Sequence, residues 1–296
     1  MLLDNLALFL TIAEKGSLVA AARDKGISTT TVSDRLAALE THYGVVLFNR
    51  TTRSISLTPE GQMLVDGARG VLSEVSDLDA RIRFGAATLS GPVRISAPID
   101  LGHGIVSRVI AQFTAENPSV SVDLSVSDAY VDLVGEGFDL ALRFGEIPDT
   151  SLRVRTLGHF RRLVCAAPAY LDRHGSPEKP EDLSQHNCLI MRFGATPDNV
   201  WRFGKGPSAR RITVRGNRVA NDGSLIRTWA LEGHGIVLKS ELDVMHDIRA
   251  RRLVSLMEDA LPPSGPLQML FPPGRAQPRR VGAFAAQISA AFARIT

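Results

Sequence analysis

The stretch SLVAAARDKGISTTTVSDRLAALETHYG, residues 17–44, limits the fold more than any other part of the chain. Ser17 stands before Ala20, Ala21 and Ala22, a run of small residues stopped by Gly26, and Ser28 precedes Val32, Leu36 and Leu39 at helical spacing. Helices this short, built from small residues and joined through a glycine, approach closely, and Gly26 tolerates the positive φ of a tight turn. Upstream, DNLALFLTIAEKG sets Leu6, Leu8, Phe9, Ile12 and Ala13 mainly on one face, with Gly16 as a stop. This spacing fits a helix-turn-helix and an ordinary three-helix bundle equally well.

Ser28, Thr29, Thr30 and Thr31 place four hydroxyls where the third helix starts. Threonine is a poor helix former because its branched side chain loses freedom against the preceding turn. The segment that follows, VVLFNRTTRSISLTPEG, reads as two short strands, VVLF and SISL, around a polar turn that holds Arg50 and Arg53. Thr58 and Pro59 then have the order of a helix cap and a first helical residue.

With AARDKGIS, VSDRLAALE and YGVVLFNRTTRSISLTPEG in this order and spacing, residues 1–61 resemble the winged helix-turn-helix of LysR-type transcriptional regulators. The resemblance implies that the third helix enters the major groove of double-stranded DNA and that the wing arginines meet the minor groove and backbone. The implied contact residues are Ser17, Ser28, Thr29, Thr30, Thr31, Ser33, Asp34, Arg35, Arg50 and Arg53. A helix N-terminus has unsatisfied N–H groups suited to phosphate, and hydroxyls add donors to phosphates and bases. Thr29, Thr30 and Asp34 depart from the family, which often carries Gln-Pro after the cap and a basic residue after VS.

Residues 1–60 hold six basic and six acidic side chains, so nucleic-acid binding there rests on placed cations and not on a basic cloud. The whole chain of 296 residues has a formal charge of +3, and its length suggests two or three domains. Cys165 and Cys188, 23 residues apart, match neither a zinc spacing nor a disulfide framework, and no signal core or long apolar run is present. These features predict a cytoplasmic protein without membrane association, metal or cofactor.

From Pro59 to Gly85, Leu64, Ala68, Val71, Val75, Leu78 and Ile82 recur at alternating intervals of four and three. Such a seam reads as a dimerising coiled coil or as one helix packed on its own domain, and the resemblance favours the dimer. GAATLSGP then breaks the helix. Beyond it PVRISAP, SVSVDLSV, FDLALRF, NCLIMRF, RRITVRGNRVA, HGIVLKS and PLQMLFPP read as strands. GHGIVSRVIAQFTAENP, AYVDLVGEG, DGSLIRTWALEG, SELDVMHDIRA and the C-terminal RRVGAFAAQISAAFARI read as helices, an alternation that predicts parallel α/β sheets.

The expected fold is an all-α winged helix-turn-helix domain (1–58), a linker helix and hinge (59–88) and a two-lobed α/β effector domain (89–296). That domain resembles periplasmic solute-binding proteins, with lobe 1 about 91–162 and 267–296 and lobe 2 about 163–266. Ligands of open α/β sheets lie beyond the carboxyl ends of strands. Here those points are Pro98, Ile99, Asp100 and Leu101, Ser127 with Asp128, Arg143 with Phe144, and Asn221 with Asp222 and Gly223. The family's effector positions map to Asp100 and Ser127, then to Phe144, Trp201 and Asn221. Helix capping, or core packing for Phe144 and Trp201, explains each residue singly; their convergence points to a small-molecule effector.

The implied function is therefore sequence-specific DNA binding as a dimer or tetramer, switched by an effector and coupled to the transcription machinery. An enzyme reading rests on GHGIVS (102–107) with Asp123 downstream, but the third glycine of a dinucleotide fingerprint is Ser107 and Asp123 lies inside an alternating strand. A solute-binding protein accounts for two lobes but not for the wing.

Overall fold

The structure, a computed structural model, describes residues 1–50, 55–84, 88–129, 131–145, 147, 151–204, 209–261, 264–273 and 277–295. Helices α1 (Leu2–Lys15), α2 (Leu18–Lys25) and α3 (Thr29–Tyr43) each end on a left-handed glycine, Gly16, Gly26 and Gly44. Leu6, Phe9, Ile12, Ala21, Ala22, Val32, Leu36 and Leu39 form their common core. The alanines let α2 lie close against its neighbours, as the small-residue run requires.

Strands β1 (Phe48–Arg50) and β2 (Ile55–Leu57) pair antiparallel, with Phe48 opposite Leu57. Sequence reading placed the first strand at 45–48; the structure moves it towards Arg50 for a local reason. Leu47 donates its N–H to Glu40 Oε1 (2.9 Å), and Val46 accepts from Thr58 Oγ1 (2.8 Å), so residues 46 and 47 are tied to α3 and Thr58 instead of to a strand partner. Thr58 Oγ1 also accepts from Gly61 N (2.9 Å), capping α4 (Pro59–Phe84). A side chain at Gly61 would put a Cβ 2.1 Å from Leu47 O, so this junction of wing and linker needs glycine.

Lobe 1 is a five-stranded sheet, β4-β3-β5-β15-β6. It comprises β3 (Gly91–Ala97), β4 (Val120–Val126), β5 (Leu140–Phe144), β6 (Arg153–Phe160) and, late in the chain, β15 (Gly265–Phe271). Strand β3 is parallel to β4 and β5, but β15 runs antiparallel to β5 and β6. The sheet is mixed, correcting the parallel expectation: β15 arrives from lobe 2 and inserts antiparallel between β5 and β6.

The turn α5 (Ile99–Leu101) continues through a π turn at Gly102–Val106 into α6 (Ser107–Glu116), and α10 (Arg279–Ala293) packs beside α6. Phe113, Phe284, Ile288 and Phe292 fill the space between helices and sheet.

Within AYVDLVGEG, the described residues 131–137 are not a helix. Residues 133–137 form turns in which Asp132 Oδ1 accepts from Val134 N (3.2 Å) and Gly135 N (2.9 Å), a side-chain competitor for helical hydrogen bonds, and Gly137 sits at φ +74°. Arg69 of α4 donates Nη1 to the carbonyls of Val134 (2.9 Å) and Gly135 (3.3 Å) in this turn. Arg280 of α10 donates to Pro92 O (2.7 Å) and Ser73 Oγ (2.8 Å), a second strut between lobe 1 and the linker helix.

Lobe 2 begins with β7 (Arg162–Ala166) and α7 (Pro168–His174). It continues through β8 (Cys188–Phe193), β9 (Thr196–Pro197), β10 (Val200–Phe203), β11 (Arg210–Thr213) and β12 (Arg218–Ala220). It ends with α8 (Gly223–Leu231), β13 (Ile236–Ser240), α9 (Glu241–Arg249) and β14 (Val254–Leu256). The main sheet runs β12-β8-β13-β7-β14, parallel between β12, β8 and β13, with β7 antiparallel to both of its neighbours, β13 and β14. RRITVRGNRVA is two strands in different sheets, since β11 pairs with β10 and β12 with β8. Among the described residues no helix is long and apolar enough to cross a membrane.

Candidate functional sites

At the start of α3, Ser28 Oγ accepts from Thr31 N (3.0 Å) and lies 2.8 Å from Thr31 Oγ1. One hydroxyl of the four thus caps the helix, and a second is drawn to it. Thr29 and Thr30 remain exposed on the first turn beside the backbone N–H groups that a helix leaves unsatisfied. Asp34 and Arg35 are exposed one turn on, and Ser33 is half-buried. Ser17 caps α2 by accepting from Ala20 N (3.4 Å). Arg50 ends β1 opposite Ile55, and Arg53 lies outside the described residues.

The α4 seam divides in two. Ala68 is buried and Leu64 half-buried against the core of α1 to α3, together with Val65 and Leu72. Further along, Val71 (46 %), Leu78 (51 %) and Ile82 (74 %) are exposed, with Val75 half-buried. The packed-helix reading holds for the first turns, which lie on their own domain, and the second half is an apolar stripe open to solvent in the single chain.

Between the lobes lies a cavity of about 390 Å³. Pro98, Asp100, Asp128, Arg143 and Phe144 of the expected positions are on its wall. Ile99 holds its place through its N–H, which donates to Asp128 Oδ1 (3.1 Å), and Leu101 points into the lobe 1 core. Ser127 Oγ accepts from Ala129 N (3.2 Å) off the wall; Asp222 caps α8 through Leu225 N (3.0 Å), and Asn221 is exposed beside it. The structure corrects the placement of Trp201. It is buried in the lobe 2 core with its indole N–H on Asp198 O (3.0 Å), because β10 turns its alternate residues Trp201 and Phe203 inward.

The wall also contains residues that sequence reading missed, above all Lys239 and Asp243, with Phe160, Arg162, Met191, Phe193 and Leu238. Lys239, at the end of β13, forms ion pairs with Asp100 from lobe 1 and with Asp243 on α9 (3.2 Å), and donates to Gly223 O (3.3 Å). Asp128 bridges the lobes as well, taking Gly223 N–H on its second oxygen (3.0 Å). Arg143 is buried, with its guanidinium on Leu142 O (2.6 Å) and Ser96 Oγ (2.7 Å).

Burial pulls the Lys239 ammonium down, but Asp243 and Asp100 outweigh it and its pKa lies above the ordinary lysine value. Burial, reinforced by Asp100 and Asp128 against the pull of Lys239, pushes Asp243 up to about 6. The folded carboxyl thus binds its proton more tightly than the unfolded one, and this group's contribution to stability falls as pH rises from about 4 to about 6. Asp243→Asn removes that slope: its advantage over the native chain grows across this window by about 3 kcal/mol and is level above it. Urea midpoints at pH 4, 5, 6 and 7 measure this, and parallel curves for the two proteins would contradict it. Both cysteines are free and buried, and burial pushes each thiol up to about 12, so neither is a reactive thiolate.

A winged helix-turn-helix head, one long helix and two α/β lobes around a cavity define a class of ligand-cleft proteins built onto a DNA-reading head. The family model for the bacterial regulatory helix-turn-helix protein, lysR family, matches residues 3–62, and that for the LysR substrate binding domain matches residues 86–293. The chain belongs to the LysR-type transcriptional regulators, which are DNA-binding proteins with an effector-binding domain and not enzymes.

The HTH-type transcriptional regulator DmlR of Escherichia coli (strain K12) is 31% identical over 89% of this chain and 86% of its own length. The HTH-type transcriptional activator AaeR of the same organism is 33% identical over 94% of this chain and 85% of its own. CrgA, a LysR-type transcriptional regulator from Neisseria meningitidis, superposes with a TM-score of 0.64 at 28% identity, covering 98% of both chains.

Proposed function

We propose that this regulator reads double-stranded DNA through the first turns of α3 and the wing, with Thr29, Thr30, Ser33, Asp34, Arg35, Arg50 and Arg53 facing the duplex. Ser17 and Ser28 hold the two helix starts in place. Residues 1–58 form the reading head, 59–88 the linker and 89–296 the effector domain, and two chains join through Val71, Val75, Leu78 and Ile82, as a dimer or a pair of dimers. Two heads so joined add their half-site energies on a dyad-symmetric operator. A small molecule in the inter-lobe cavity biases the assembly by binding one arrangement more tightly than another, and the regulator acts in the cytoplasm on the transcription machinery.

The observation that carries the DNA reading is the exposed hydroxyl turn of α3, with Ser28 and Thr31 locking its cap while Thr29 and Thr30 stay open. Fragments selected from genomic DNA by the purified protein supply the operator. On that operator Arg35→Ala and Arg53→Ala each weaken binding evenly across sequences and reduce the salt slope by about 1. A salt slope equal to that of the native protein in both variants would remove the phosphate role from these arginines.

A further inference from the structure

We propose that the inter-lobe cavity accepts an uncharged small molecule with a compact apolar or aromatic body, and neither a carboxylate nor an ammonium ion; this rests on the cleft being the ligand site. Three acids, Asp100, Asp128 and Asp243, and three bases, Arg143, Arg162 and Lys239, stand on its wall, so no net sign draws an ion in.

Each of these groups is already engaged by the protein. Lys239 spends its three N–H bonds on Asp100, Asp243 and Gly223 O. Asp128 spends one oxygen on Ile99 N and the other on Gly223 N, so the start of α8, where an incoming anion would be drawn, carries the protein's own carboxylate. Arg162 donates Nη2 to Asp198 (2.8 Å) and Leu238 O (3.4 Å), and Arg143 holds Leu142 O and Ser96.

An ion entering the cavity would lose its water and find Lys239 paired with Asp100 and Asp243 and Arg162 paired with Asp198, and breaking the Lys239–Asp100 pair to serve it would strand a buried charge. A neutral ring meets no such exchange. Pro98, Phe144, Phe160, Met191, Phe193 and Leu238 offer it apolar surface within a space large enough for a one-ring molecule.

Titration calorimetry of the intact protein with benzyl alcohol, benzoate and benzylammonium at pH 7.5 tests this. The alcohol binds about tenfold or more tightly than either ion, and Met191→Trp, which fills the cavity, abolishes its heat while the circular dichroism spectrum stays native. Asp100→Asn, by releasing one partner of Lys239, turns the order towards benzoate. Benzoate or benzylammonium binding the native protein as well as the alcohol would overturn the proposed ligand class but keep the cleft as a binding site. No binding by any of the three, with Met191→Trp indistinguishable from the native chain, would overturn both.

Discussion

Replacing Lys239 by methionine destabilises the effector domain by about 3–5 kcal/mol, because it leaves two largely buried carboxylates without the cation that both of them face. Asp100 and Asp243 are only 13% and 7% exposed, so solvent screens the loss of the ammonium only in part. The loss is smaller near pH 5, where Asp243, with its raised affinity for a proton, can go neutral. Adding Asp100→Asn and Asp243→Asn to Lys239→Met restores most of the stability, since a neutral set of similar shape avoids the stranded charge altogether. Urea midpoints of the single and triple variants measure both effects. A Lys239→Met midpoint equal to that of the native chain would mean that the network adds nothing to lobe closure.

The second large effect concerns α4. Leu78→Lys combined with Ile82→Lys leaves the single chain folded to within about 0.5 kcal/mol, because both side chains are exposed and touch no core. The same pair of changes sets charge along the apolar stripe and splits the dimer. With one head in place of two, operator affinity falls by about 100-fold or more, the benefit of linking two reading units. Sedimentation and gel-shift titration together decide the matter. A variant that still sediments as a dimer moves the interface away from this stripe.

The parts of this molecule that could be read in the sequence are those decided within a few residues. Gly16, Gly26 and Gly44 mark the helix ends, and Ser17 and Ser28 the starts, because caps and left-handed stops are local chemistry. Strands β6, β7 and β14 escaped because their partners are distant in sequence, and β10 escaped although it alternates and pairs with the nearby β11. LVGEG misled because Asp132 captures the N–H groups that a helix would use.

The same distinction applies to the cleft. Strand ends pointed to Asp100, Asp128 and Arg143, but Lys239 reads as the tail of an apolar strand, and its partner Asp100 is 139 residues away. Only a lysine closing an otherwise buried strand, HGIVLKS, hinted that a buried counter-charge had to exist. Trp201 went the other way: the resemblance marked it for the ligand, and β10 turned it into the core.

The struts formed by Arg69 and Arg280 have a mechanical consequence. Both end on lobe 1, one in the turn at 134–135 and the other between β3 and α10, so lobe 1 is bolted to the same rod that carries the DNA-reading head. Head, rod and lobe 1 are thereby tied by side-chain hydrogen bonds that reach across 65 to 207 positions of sequence.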